Sequence, residues 1–139
     1  MKGERNTVFV DTGAWLALAL TNDPYHARAT ATWDDLRAMQ AKLVTSIPVV
    51  IETFTFLDRN AHRQVATQWR EQVTAWPKLR LVECTLADLT RAWAWFEAKQ
   101  MHRLSAVDAT SFTLMKRLKI AVAFAFDHHF AQAGFAMVG

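Results

Sequence analysis

Four carboxylates, Asp11, Glu52, Asp108 and Asp127, are spread over almost the whole 139-residue chain, yet each stands where a strand ends or a helix begins. Asp11 follows the apolar run TVFV at residues 7–10, and Asp127 follows AVAFAF at 121–126. Glu52 belongs to the helix announced by Ser46 and Pro48, and Asp108 comes three residues after Ser105, a good N-cap. In a parallel α/β sheet, strand ends and the starts of the helices that follow them share one edge, which is where ligands bind. The four acids can therefore meet in one crevice. Singly, each has an ordinary role: Asp108 as a first-turn acid favoured by the helix dipole, Asp11 and Asp127 as loop acids that cap the next helix, Glu52 as a helix-surface residue. The apolar neighbours Val49, Val50, Ile51, Phe54 and Phe56 argue against full exposure of Glu52. Together, four acids in one crevice repel unless they are protonated or a cation neutralises them. Oxygen-only ligands of this kind suit Mg²⁺ or Mn²⁺. Such a centre points to hydrolysis of a phosphodiester by a carboxylate-oriented water, with no protein nucleophile.

Competing chemistries have less behind them. The single Cys84 lies in a predicted strand, where a buried small hydrophobe is the ordinary reading, and no GxSxG, P-loop or GxGxxG is present. His128 and His129 follow Asp127 directly, but no further His, Cys or acid at regular spacing completes a zinc site; the pair reads as a partly solvated helix start, with His129 free to face the crevice and meet phosphate. A receiver-like phosphoacceptor domain would need paired acids after the first strand and a Lys after the last, whereas these strands end Asp11-Thr12 and Asp127-His128. Arg103, just before the Ser105 cap, is a candidate phosphate contact, with a surface salt bridge as the alternative.

The elements that must carry these residues alternate along the chain. Strands are expected at residues 7–10, 41–45, 79–84 and 121–126, with a short fifth at 135–138. Helices are expected at about 14–20, 24–39, from Ser46 onward, 61–76, 86–100 and from Ser105 to about 118. Thr85 and Asp88 form a capping box for the 86–100 helix, whose Leu86, Leu89, Trp93 and Phe96 make one apolar stripe. Trp95 falls off that stripe and is a candidate contact for a partner subunit or protein, against packing under a neighbouring helix. Lys116, Arg117 and Lys119 end a helix, where cations suit the dipole. Short apolar strands separated by helices predict an α/β fold: a doubly wound, mainly parallel sheet of four to five strands with helices on both faces.

The totals set bounds. One domain over residues 1–139 is the expectation from length, and 52% apolar residues, with six Trp and nine Phe, supply a core. One Cys allows no internal disulfide, which fits a reducing cytoplasm. No apolar run reaches the roughly 18 residues of a membrane span and no signal-peptide pattern opens the chain. The net charge of +3 favours polyanions without naming one.

VFVDTGAW, SIPVVIETF, LSAVDATSF and AFDHHF, in this order and spacing, resemble the PIN-domain family, and within it the VapC-type toxins of toxin–antitoxin pairs. The resemblance spans nearly the whole chain and implies a doubly wound parallel sheet, a Mg²⁺ or Mn²⁺ site, and cleavage of RNA. It places Asp11, Glu52, Asp108 and Asp127 at the family's acidic positions, with Thr12 at the small hydroxyl position that follows the first Asp. It further implies a homodimer and an antitoxin partner. One position departs: the family often carries Thr or Ser two residues before the last Asp, and here that residue is Ala125, so a hydroxyl that could orient Asp127 is missing. This departure keeps open a second reading, a PIN-like module that binds RNA or protein with weak or lost catalysis.

Overall fold

The computed structural model describes residues 6–139. Five strands, β1 (Thr7–Val10), β2 (Lys42–Ser46), β3 (Leu79–Val82), β4 (Val122–Phe124) and β5 (Ala136–Val138), form one sheet in the order β3-β2-β1-β4-β5. Every pairing is parallel; Val8 stands opposite Leu43 on one side and Val122 on the other. The helices are α1 (Thr12–Ala19), α2 (His26–Ala38), α3 (Ile47–Asn60), α4 (Arg63–Ala75), α5 (Leu86–Ala92), α6 (Ala106–Arg117) and α7 (His129–Gln132). None among the described residues is long and apolar enough to cross a membrane.

β1 is central, and Val8, Phe9 and Val10 are all buried, which explains a strand sequence with no polar alternation. From β1 the chain steps outward through β2 to β3, then returns to β4 on the other flank of β1. The order therefore reverses between β1 and β4, the place where a crevice opens beyond the strand ends. The Asp11 N–H donates to the Phe124 carbonyl at 3.0 Å, so the last residues of these two strands are tied together there. Helix α6 crosses the core: every residue from Asp108 to Met115 is buried, so no solvent face remains on that stretch. Phe112 meets Phe130 edge-on at 4.9 Å and Trp95 at 5.1 Å.

The structure corrects the reading of residues 86–100. The helix stops at Ala92 and a 3₁₀ turn, Trp93–Glu97, follows. The apolar stripe faces outward, with Leu86 80% and Trp93 52% exposed, while Asp88 and Ala92 turn inward. The cause is Asp88. Its carboxylate accepts from the Thr85 N–H and hydroxyl, both at 2.9 Å, and from the Arg117 guanidinium at 2.8 and 3.1 Å. Holding this acid inside against α6 fixes the rotation of α5 and turns Leu86 out. Trp95 changes role with it: it packs on Phe112, with the Lys116 ammonium 5.7 Å from its ring, and Trp93 is the tryptophan left on the surface. Arg117 ends its helix as expected and also bridges α5 to α6. Cys84, half-buried beside Asp88, has its thiol pushed up by burial and by that carboxylate.

Candidate active site

Asp11 is the first residue past β1 and the N-cap of α1; its Oδ2 accepts weakly from the Gly13 N–H at 3.4 Å. A buried chain of hydrogen bonds fixes the backbone just before it: the Trp15 indole donates to Thr45 Oγ1 at 3.2 Å, and Thr45 donates to the Val10 carbonyl at 2.8 Å. Asp11 itself is buried, and its Oδ1 has no hydrogen-bond partner among the described residues. The adjacent Thr12 hydroxyl is buried and unpartnered as well. Burial pushes the Asp11 carboxyl up to about 7, against the N–H groups of Thr12 and Gly13 and with help from the charges of Glu52 and Asp127.

Asp108 arrives from α6. Ser105 caps that helix by accepting from the Asp108 N–H at 3.0 Å, so the acid is held in the first turn of the most buried helix. Its carboxyl is pushed up to about 9 by burial first, then by Asp11, Asp127, a hydrogen bond to Asp127 and Glu52. Asp127, past the end of β4, is the partly exposed member of the group. Burial pushes it up, but the His129 N–H, the His129 ring and Asp108 outweigh that, and it lies below its ordinary value. Glu52, half-buried in α3, is felt by both Asp11 and Asp108. The four acids named from the sequence are thus brought into one electrostatic group at the switch point of the sheet.

The other sequence-named residues fall around this group. His129 is turned inward, which corrects its reading as partly solvated: it is 5% exposed, its Nε2 donates to the His102 carbonyl at 2.7 Å, and its Nδ1 lies 2.8 Å from Asp127 Oδ1, off the angle of a regular hydrogen bond. The His129 N–H donates to the same oxygen at 2.9 Å. These contacts orient Asp127, which a hydroxyl at position 125 would otherwise do; Ala125 is buried with its N–H on the Val138 carbonyl at 3.1 Å. His128 is exposed, stacked on His129 with centroids 4.5 Å apart. Arg103 is exposed beside the bonded His102, at φ 59°, a left-handed conformation that costs a non-glycine residue free energy. The anchored His102 carbonyl holds that turn in place. Thr45 and Trp15 are positioning residues that sequence reasoning missed. A Thr inside an apolar strand, one place before an evident cap, carries no separate signal.

The residues present fit a divalent cation. A buried carboxylate oxygen and a buried hydroxyl on consecutive residues, both without partners among the described residues, are costly unless something binds them. Burial first, and then the neighbouring carboxylates, push Asp11 and Asp108 up, and positive charge among them would offset both. The donors are all oxygens, as a hard cation requires. Ligand atoms of Asp127, His128 and His129 also lie within 4.8 Å of one another, but His129 is already committed to His102 and Asp127.

A parallel sheet with acids gathered at its switch point is the frame of the family whose model, the PIN domain, matches residues 8–136. The chain belongs to the PIN domain family, among its VapC-type ribonuclease toxins. The 23S rRNA-specific endonuclease VapC20 of Mycobacterium tuberculosis, recorded in two strains, is 36% identical over 137 residues, which cover 94% of this chain and 97% of that relative. The crystal structure of M. tuberculosis VapC20, a sarcin-ricin loop cleaving toxin, matches with a TM-score of 0.82 at 32% identity, over 93% of this chain and 96% of the other.

Proposed function

We propose that residues 1–139 form a single-domain, metal-dependent endoribonuclease, the toxin of a toxin–antitoxin pair, acting on structured RNA in the cytoplasm. The observation that carries this reading is the group of acids that raise one another's pKa at the switch point, with Asp11 Oδ1 buried and unpartnered among the described residues. Asp11, Asp108 and Asp127 would hold Mg²⁺ or Mn²⁺, with Thr12 beside them and Glu52 at the rim. When bound, the ion supplies Lewis-acid neutralisation of the phosphodiester and eases loss of a proton from water. The chain supplies the rest. Glu52, half-buried in α3, accepts and orients the attacking water. His129 holds Asp127 in one rotamer, and Ser105 holds Asp108. Arg103 is presented at the rim for an RNA phosphate.

The alternative, a PIN-like module without catalysis, rested on Ala125. It loses weight because His129 supplies the contact that Ala125 cannot. For partners, the exposed Leu86, Trp93 and Phe96 support a homodimer face, and a cleft of about 530 Å³ lined by Trp15, Trp33, Trp69 and Trp76 supports an apolar segment of an antitoxin.

The experiment is cleavage of an RNA hairpin with the sarcin-ricin loop sequence, the element named for the relative, in Mg²⁺ or Mn²⁺. EDTA abolishes cleavage, and Asp11→Asn lowers its rate by at least about 100-fold. Cleavage that survives both treatments at the wild-type rate would falsify the proposal.

A further inference from the structure

An acid cluster is a poor place to attract a polyphosphate. Affinity for RNA has to come from the rim of the crevice, and a contact indifferent to charge is suited to it. Phe126, the residue immediately before Asp127, makes one. It is half-buried, set edge-on to Phe124 at 6.2 Å, and its ring lies parallel to that of Tyr25, with centroids 4.5 Å apart and planes within 5°. The Arg28 guanidinium stands 5.2 Å from the Tyr25 ring and 5.4 Å from the Phe126 ring, and donates to the Gly139 carbonyl at 2.9 Å.

The pair is rigid. Pro24 fixes the backbone before Tyr25. The Tyr25 N–H donates to Asp23 Oδ1 at 2.8 Å, the His26 N–H donates to the Asp23 carbonyl at 3.0 Å, and the His26 ring bonds the Ala17 carbonyl at 2.7 Å. Yet Tyr25 is 42% exposed, Phe126 is its one aromatic neighbour, and its hydroxyl makes no hydrogen bond among the described residues. A large aromatic ring held still, stacked on one partner and open to solvent, has little role in stability. It matches what single-stranded or splayed-out nucleotides use as a platform.

We propose that Tyr25, backed by Phe126, stacks a base of the RNA next to the cleaved phosphodiester, and that Arg28 meets the adjoining phosphate. The proposal rests on the nuclease reading and names how that site takes its substrate. Phe126 and Asp127 are consecutive, which ties the stacked pair to the acid group through one peptide unit.

The test uses the same hairpin, intact and with single abasic positions on either side of the cleavage point. Tyr25→Ala raises KM about 10-fold or more with kcat within about threefold, as expected for loss of one stacked base, and Tyr25→Phe restores wild-type behaviour. One abasic position produces the same KM rise in the wild-type protein and no additional rise in Tyr25→Ala. The wild-type half of that result stands even if the alanine variant folds poorly. A hairpin carrying 2-aminopurine at that position loses fluorescence on binding Asp11→Asn and keeps it on binding the Asp11→Asn, Tyr25→Ala double variant. This readout needs no cleavage, so a failed nuclease reading is told apart from a failed platform. Unchanged KM in Tyr25→Ala, additive abasic losses, or a Tyr25→Ala defect confined to a protein partner would each overturn the platform.

Discussion

At the scale of single residues, the acids of the crevice are set against one another. With no cation present, Asp108 at about 9 keeps its proton at neutral pH, Asp11 at about 7 is divided between its two forms, and Asp127, held by His129, gives its proton up. A carboxyl raised in the folded chain binds its proton more tightly there than when unfolded. Its stabilising contribution is complete below 3.8 and is lost as pH climbs through the folded value. In EDTA, the melting temperature therefore falls from about pH 5 to about pH 9. Asp127 has the opposite sign, but its contribution is lost only as pH falls below the ordinary 3.8, outside that range. Mn²⁺ or Mg²⁺ restores the melting temperature, most strongly at the alkaline end, where binding no longer has to displace protons. Asp108→Asn removes most of the slope. A metal-free protein that gains stability over the same range contradicts this account of the crevice.

At the scale of elements, caps and packing divide the work. Ser46, Thr85 and Ser105 cap their helices as their positions in the sequence announce, because a cap is a local arrangement of three or four residues. The five strands and their places next to Asp11 and Asp127 were legible for a similar reason: a run such as VFV, buried on both faces, has few other readings. The rotation of α5 was not legible. Leu86, Leu89, Trp93 and Phe96 have the spacing of a core stripe, and the pairing of Asp88 with Arg117, 29 positions away, turns Leu86, Trp93 and Phe96 outward and leaves Leu89 half-buried. That pair is half-sheltered, since the Asp88 side chain is buried and that of Arg117 is 40% exposed. Its loss costs less than the roughly 3–5 kcal/mol of a fully buried pair. Arg117→Ala lowers unfolding free energy by about 2 kcal/mol, seen as a lower urea midpoint with an unchanged slope. A shift below about 0.5 kcal/mol would mean that apolar contacts alone fix α5. The inward turn of His129 was hidden in the same way, because its partner is the carbonyl of His102, a backbone atom no sequence pattern marks.

At the scale of the whole molecule, one topological fact organises the rest. Reversal of strand order between β1 and β4 gathers acids from residues 11 to 127 at one edge, so the faces away from that edge are free for other work. Leu86 and Trp93 stand exposed on α5 and the 3₁₀ turn after it, joined by Phe96 at 45% exposure. Three large apolar side chains on one short segment are more than a solvated surface ordinarily shows, and a tryptophan is the residue most often found at the centre of a protein contact. The same Asp88–Arg117 pair that exposes them also stiffens the segment that carries them, so little ordering is needed on association. A second copy of the chain is the proposed occupant. Sedimentation of the wild type gives twice the 15.8 kDa chain mass, and the double change Leu86→Glu, Trp93→Glu gives the monomer. Because these side chains contribute nothing to the core, the monomer keeps its melting temperature at low protein concentration, where the wild type has dissociated as well. An unchanged mass for the double variant would place the dimer contact elsewhere. A monomer that also loses its fold would show that α5 packs through these residues after all.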